Sequence, residues 1–123
     1  MADYHMGEIE ARFADIIWEN EPIASGKLVA LCREKLNWSK GTTYTVLRKL
    51  CHREIFKNEN STVTSLISRA DYYAVQSKRF VEETYQGSLP AFVVAFASRK
   101  KLSRDEIEEL QRLLNTYGET KDG

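Results

Sequence analysis

The 123-residue sequence predicts a mainly α-helical protein that contains one small β-hairpin. Apolar residues recur with helical spacing in three successive segments before residue 53, and again in the second half of the chain. Between these helical parts, two short runs rich in β-branched residues flank a polar stretch, a pattern typical of strand, turn and strand. With 42% hydrophobic and 29% charged residues, the composition is that of a globular protein rather than a disordered chain.

The first two predicted helices are separated by a proline. The apolar face of the first helix, spaced at i, i+4, i+7 and i+8, consists of Ile9, Phe13, Ile16 and Ile17, with Trp18 beside it. Pro22 ends this pattern, because a proline disfavours helical geometry in the preceding residue. The second face, which ends near Asn37, consists of Leu28, Leu31 and Cys32. We expect both tryptophans, Trp18 and Trp38, to pack against the core.

The third predicted helix begins after Ser39, a residue type that caps helix N-termini well. Its apolar side consists of Val46, Leu47, Leu50 and Cys51. The opposite side then consists of Gly41, Tyr44, Thr45, Arg48 and His52, with Lys40 and Thr42 in the first turn. Arginine can donate two hydrogen bonds to guanine, and threonine methyls can contact thymine methyls. This helix therefore has side chains suited to reading DNA.

The β-hairpin follows directly, with strands predicted at Ile55-Phe56 and from Thr62 to Ile67 around a polar turn from Lys57 to Ser61. Three short helices and a hairpin are the outline of a winged helix-turn-helix domain, which we assign to residues 1–69. In that fold the third helix enters the major groove and the hairpin lies along the DNA backbone. The predicted DNA-binding residues are Ser39, Lys40, Thr42, Tyr44, Thr45, Arg48, His52, Asn60 and Ser61.

Charge is distributed unevenly along a chain whose formal net charge is zero. Residues 1–21 carry a net charge of −5, residues 22–57 a net charge of +6, and the remainder a net charge of −1. The basic segment contains the predicted DNA-binding helix, and a basic patch on a neutral chain is typical of a surface that binds an anionic partner. A solvated helix surface is the alternative interpretation.

Residues 70–123 are predicted to form a helical dimerisation domain. One helix ends at Gly87, an apolar segment runs from Leu89 to Phe96, and a capping box, in which Ser103 and Glu106 bond each other's backbone amides, begins the last helix. A domain this small has too few residues to bury the apolar segment in a core of its own. We therefore expect the domain to pair with a second copy of itself. The predicted dimerisation residues are Tyr72, Phe80, Tyr85, Leu89, Phe92, Phe96, Ile107, Leu110, Leu113 and Leu114.

Several other kinds of protein are disfavoured by the sequence. The two cysteines, Cys32 and Cys51, have neither zinc-site spacing nor the number needed for a disulfide framework, so no metal and no cofactor is expected. The sequence contains no nucleophile-elbow, phosphate-loop or zinc-protease pattern, so nothing in it suggests an enzyme. No apolar run approaches the ~20 residues that span a bilayer, and the first residues do not resemble a signal peptide. A cytoplasmic protein is the expectation.

The third helix carries a motif that resembles the recognition-helix signature of the penicillinase-repressor family: Trp38-Ser39-x-x-Thr42-x-x-Thr45-x-Leu47-x-x-Leu50. Further matching segments are Ile16-Ile17-Trp18, Phe80 through Tyr85-x-Gly87, and Leu102-Ser103-x-Asp105-Glu106-Ile107-Glu108-Glu109-Leu110. The family comprises repressors of beta-lactamase and methicillin-resistance genes and related copper-responsive repressors. The resemblance covers about residues 6 to 115 and implies a homodimeric repressor of palindromic operators.

The resemblance also implies two possible inputs. Family members that control antibiotic resistance are cut in the dimerisation domain by a pathway that a membrane sensor starts; the aligned bond here is Ala95-Phe96, where the family has Asn-Phe. The copper-responsive branch has a cysteine-rich tail, which residues 116–123 do not resemble. Further departures are Ser39-Lys40 for Ser-Pro, Arg53-Glu54 for Lys-Gly, and a second wing strand without an aromatic residue. These departures leave open an adaptor that has lost DNA recognition and binds protein through its winged helix.

Overall fold

The computed structural model describes residues 5–118, which form helices α1 to α6 and strands β1 to β3. The helices and strands are, in chain order, α1 Glu8–Asn20, β1 Ile23–Ala24, α2 Ser25–Leu36, α3 Lys40–His52, β2 Phe56–Glu59, β3 Thr62–Ser65, α4 Arg69–Thr84, α5 Leu89–Ala97 and α6 Arg104–Tyr117. The mainly helical prediction with a small hairpin is therefore confirmed.

The sheet has one strand more than the sequence predicts. Its strands are all antiparallel, in the order β1-β3-β2, and Ile23 of β1 pairs with Val63 of β3. β1 has only two residues, too few for an alternating pattern to be recognised in the sequence. This strand holds the start of α2 next to the hairpin, where the Ser25 amide donates to the Ser61 carbonyl at 2.9 Å.

The hairpin turn is shorter than expected and consists of Asn60 and Ser61. Both residues have positive φ angles, 54° and 59°, as a two-residue type I′ turn requires. The expected turn residues Lys57 to Glu59 instead lie in β2, where all three are exposed. Their polar side chains suggested a loop, but an edge strand tolerates polar residues that face solvent.

One core joins α1, α2, α3 and the sheet. Its largest fully buried side chains include Phe13, Leu28, Leu47, Leu50 and Phe56. Both tryptophans pack on this core as expected. Trp38 stacks on Phe13 with ring centroids 5.4 Å apart, and the Trp18 indole N–H donates to the Ile67 carbonyl at 3.1 Å.

The chain divides into two compact units inside α4, between Lys78 and Arg79, whereas the sequence-based boundary lies at the first residue of that helix. The first turns of α4 belong to the first unit because they pack on α1. The Tyr72 and Tyr73 rings contact Trp18, and Arg69 pairs with Asp15 at 3.0 Å.

The second unit begins within α4 and includes α5 and α6. As predicted, Ser103 and Glu106 form a capping box at the start of α6. The apolar segment is helix α5, capped by Ser88, whose Oγ accepts from the Ala91 amide at 3.1 Å. Among residues 79–118, the part of this unit that is described, none is fully buried. Phe80, Tyr85, Phe92 and Phe96 form a chain of ring contacts with centroids 5.7 to 6.2 Å apart.

Candidate nucleic-acid interface

The N-terminus of α3 is capped as the sequence predicts. Ser39 Oγ accepts from the Thr42 amide and donates to Thr42 Oγ1, both at 3.1 Å. The Thr43 hydroxyl donates to the Ser39 carbonyl at 3.0 Å, and its side chain is buried. Ser39, Lys40 and Thr42 are all exposed, so the positive end of the helix dipole opens to solvent beside a lysine. Such an end favours an anionic group such as a phosphate.

Beyond this first turn, the outer face of α3 carries Thr45, Arg48 and His52. All three are exposed, whereas Thr43, Leu47 and Leu50 are buried on the opposite side. Arg48 Nη2 lies 3.5 Å from Thr45 Oγ1, one turn earlier on the same face. In the described range 5–118, neither Lys40 nor Arg48 takes part in an ion pair. Their charges are therefore available to an external partner.

Tyr44, one of the predicted DNA-binding residues, has a hydrogen-bond partner within the protein. Its ring is half-buried against the core, and its hydroxyl donates to Ser25 Oγ at 3.1 Å. Ser25 is the first residue of α2 and is itself buried. Tyr44 lies beside the outer face of α3, and helical periodicity alone does not show that its hydroxyl has a partner on α2. Its observed contacts fix α3 against the start of α2.

The other predicted DNA-binding residues, Asn60 and Ser61, form the exposed tip of the hairpin. Because Ser61 is hydrogen-bonded to the α2 amide of Ser25, this tip lies beside the N-terminus of α2. A separate open groove follows the C-terminal half of α3 as far as β2. Its lining residues are Tyr44, Leu47, Arg48, Cys51, His52 and Asn58.

The turn after α3 departs from the family in sequence but keeps a left-handed residue. Glu54 has a φ of 66°, in the region that normally favours glycine, and its amide donates to the Cys51 carbonyl at 3.0 Å. The same turn is closed by the Ile55 amide, which donates to the Leu50 carbonyl at 3.0 Å. Arg53-Glu54 therefore still connects the helix to the wing.

Three charged residues near α3 were not recognised from the sequence as acting together. Glu10 of α1 contacts both Lys49 and Arg53 at the end of α3, at 3.1 and 3.2 Å. Glu10 is 39 and 43 positions away from these two bases in the sequence, so no spacing rule connects it to them. Of the eight basic residues between 22 and 57, two are thus paired with an acid on α1.

The residues predicted to mediate dimerisation fall into two groups. Tyr72 is buried in the first unit, only 3% exposed and packed against Trp18, so it lies in a core and not on the exposed apolar surface of the second unit. The sequence places Tyr72 on the same long helix as Phe80 and Tyr85, but the first turns of that helix pack on α1. The others are exposed or half-exposed in the second unit: Phe80, Tyr85, Leu89, Phe92, Phe96, Ile107, Leu110, Leu113 and Leu114.

Further exposed apolar residues of the second unit were not on the predicted list. They are Val93, Val94 and Tyr117, of which Val94 is 69% exposed. The two valines lie in the apolar segment from Leu89 to Phe96. The Ala95-Phe96 bond, aligned with the cleavage site of the family, lies in the last turn of α5. A protease would have to unwind that turn to reach the bond.

The described residues contain no cluster of three or more side chains suited to hold a metal ion. Burial raises the pKa of both the Cys32 and the Cys51 thiol, which disfavours the reactive thiolate. Within residues 5–118, no helix is both long and apolar enough to cross a membrane.

Comparison with known proteins gives consistent matches along the chain. The family model described as penicillinase repressor matches residues 6–116. The methicillin resistance regulatory protein MecI of Staphylococcus aureus is 28% identical over 116 residues, which cover 91% of this chain and 94% of the relative. The penicillinase repressor of Bacillus licheniformis is 25% identical over 120 residues, covering 94% of each. The penicillinase repressor of S. aureus is 29% identical over 105 residues, covering 82% and 83%.

Proposed function

Because the chain belongs to the penicillinase repressor family, we propose that it is a transcriptional repressor that binds a palindromic DNA operator as a homodimer. Members of this family are repressors and not enzymes. The observation that carries the proposal is the outer face of α3, where exposed Thr45 and Arg48 follow an open, lysine-flanked helix N-terminus.

Phosphates and bases would be contacted by different parts of this surface. Ser39, Lys40 and Thr42 surround the start of α3, where backbone amides and a positive charge suit a phosphate. Thr45 and Arg48 lie further along the exposed face and are assigned to base edges in the major groove. The hairpin tip, Asn60 and Ser61, is assigned to the DNA backbone.

Dimerisation is proposed for the second unit because its apolar side chains lack a core of their own. Val94 of α5 and Leu114 of α6 are 69% and 57% exposed, on helices whose described residues are nowhere fully buried. Exposed apolar residues grouped on two helices of one unit are typical of an interaction site. A helix-turn-helix protein usually reads two half-sites as a two-fold dimer, so a second copy is the expected partner.

Release from DNA is proposed to act through the same unit. A cut at Ala95-Phe96 would separate α6 from the rest of the chain and remove its apolar face from the dimer. Loss of the dimer would abolish the avidity gained by binding two half-sites at once. Such avidity commonly raises the affinity by about 10²–10⁴-fold. The agent would be a sensor protease or another protease that reaches α5. The aligned asparagine of the family is Ala95 here, so a different sequence preference is expected.

The adaptor alternative is less well supported. An adaptor would not need a segment of net charge +6 around an exposed helix face. The turn at Arg53-Glu54 differs from the family in sequence, but Glu54 keeps the left-handed backbone conformation that a glycine would adopt. Lys40 and Arg48 remain free of ion pairs among the described residues, which suits an anionic partner.

The experiment begins with selection of fragments from the source genome that the full chain binds. Affinity for a selected fragment is then measured across a salt series. A dimer that neutralises about six phosphates should give a slope of log K against log salt near −5. Lys40→Gln should make the slope less steep, whereas Lys101→Gln, which removes the same charge from the second unit, should leave it unchanged. A flat salt dependence of the unmodified protein would refute DNA as the ligand.

A further inference from the structure

The carboxylate of Glu10 joins α1 to the last turn of α3. Glu10 Oε2 accepts from Lys49 Nζ at 3.1 Å, and Glu10 Oε1 accepts from Arg53 Nη1 at 3.2 Å. Arg53 Nη1 also donates to the His5 carbonyl at 2.7 Å, just before α1. Both oxygens of a single acid are thus used to hold two bases of the basic segment.

The side chains in this contact differ in exposure, because Glu10 is mostly buried and Lys49 is half exposed. The side chain of Glu10 is 17% exposed and that of Arg53 24%, whereas that of Lys49 is 52% exposed. Burial alone would raise the pKa of the Glu10 carboxyl. Hydrogen bonds from Lys49 and the Gly7 amide, and the charges of Arg53 and Lys49, outweigh burial and hold that pKa below its usual value. Glu10 therefore remains negatively charged at neutral pH.

The two bases flank the face that we assign to base contacts. Lys49 follows Arg48 directly, so it lies about 100° further around the helix, on the side that faces α1. Arg53 comes four residues later and lies on the same side as Lys49. Without Glu10, both cations would border the outer face of α3, where they would be drawn to phosphates of any DNA sequence.

We propose that Glu10 determines specificity by withholding Lys49 and Arg53 from the DNA backbone. The carboxylate neutralises one of the two charges and fixes both side chains against α1. Sequence-independent attraction is thereby reduced, and binding depends more on Thr45 and Arg48. This role rests on the proposed DNA-binding function, and it assigns to an acid on α1 a part in discrimination between operator and other DNA.

The test compares Glu10→Gln with Glu8→Gln in the full-length protein. Both variants remove one negative charge from the first turn of α1. Glu8, however, is exposed and forms no ion pair with any residue in the described range. Glutamine at position 10 can still accept the hydrogen bond from the Gly7 amide, which Glu10 now accepts at 3.2 Å. The probe is a 30-base-pair duplex of random sequence, with affinity measured by fluorescence anisotropy at several salt concentrations.

At about 0.1 M salt, Glu10→Gln is expected to bind the random duplex about eightfold more tightly for each cation that is freed. Its plot of log K against log salt should be steeper by about 0.9 per freed cation. Glu8→Gln should change affinity much less, because a charge without a fixed partner is screened within about 10 Å. Adding Lys49→Gln should remove most of the gain in the Glu10→Gln background, and should change little in the unmodified protein.

The direction of the change separates this role from a purely structural one. If Glu10 only stabilised α3, its loss would weaken binding to all DNA. Equal affinities of Glu10→Gln and Glu8→Gln, or weaker binding by Glu10→Gln, would overturn the proposal while leaving DNA binding intact. Failure of every variant, and of the unmodified chain, to bind the duplex would instead refute the proposed function itself.

Discussion

Replacing Leu114 by aspartate is expected to separate the proposed dimer while each protomer stays folded. Leu114 lies on α6 and is 57% exposed, so the substitution removes less packing within the chain than it would at a buried position. The matched control is Thr116→Asp, which adds the same charge to the last turn of α6 on the other side of the helix. Any effect of charge on the helix end is common to both variants.

The size of the effect follows from the exposed part of Leu114. Complete burial of a leucine side chain is worth about 1.5–3 kcal/mol, so burial of the part that is still exposed is worth about 1–1.7 kcal/mol. A two-fold dimer buries this residue twice, so the substitution should cost about 2–3 kcal/mol of dimerisation free energy. This corresponds to about a 30- to 150-fold increase in the dissociation constant of the dimer. Burying an aspartate in place of the leucine adds a desolvation cost, so these values are lower bounds.

Sedimentation velocity over a range of protein concentrations measures the dissociation constant of each variant, and circular dichroism checks that the helices remain. Leu114→Asp should sediment as a monomer at concentrations where Thr116→Asp is a dimer. Dissociation constants within threefold of each other would show that this face of α6 is not at the subunit interface, and the proposed arrangement would be wrong.

Three further outcomes are expected. Arg48→Ala should lose about 1–3 kcal/mol per half-site and relax preference at one operator position, as measured with a set of single-base operator variants; equal weakening on every sequence would reassign Arg48 to phosphate. Glu54→Gly should raise the melting temperature, because it relieves a left-handed conformation that costs a side-chain-bearing residue about 1–2 kcal/mol; a lower melting temperature would contradict this. Since the folded-state pKa of Glu10 is depressed, its contribution to stability is complete above the unfolded-state pKa and is lost as the pH falls through the folded value. Urea unfolding between pH 6 and 3 should therefore show a steeper loss of stability for the unmodified protein than for Glu10→Gln.

The local parts of the structure were predictable from the sequence. Ser39 begins α3 and Ser103 begins α6 as expected, because a cap depends on residues within one turn of the helix. The existence of the hairpin was also predictable, but its turn was not. Asn60 and Ser61 both adopt positive φ angles although neither is a glycine. The usual sequence signal of a type I′ turn, a glycine at one of these positions, was therefore missing.

Contacts between distant parts of the chain could not be predicted in the same way. Tyr44 and Tyr72 have the spacing of surface or interface residues, but each has a partner on another helix, Ser25 and Trp18 respectively. The Glu10 contact with Lys49 crosses 39 positions of sequence. Periodicity describes one helix at a time, so it defines a face but does not identify what that face meets.

Both tryptophans of the chain, Trp18 and Trp38, lie in the first unit, and each is packed against an aromatic neighbour. Intrinsic tryptophan fluorescence therefore reports on the first unit, including the start of α4, and neither tryptophan belongs to the second unit. Circular dichroism, in contrast, averages over all the helices. If the second unit unfolds before the first, the two spectroscopic transitions will not coincide, and the difference between them will report the unfolding of the second unit.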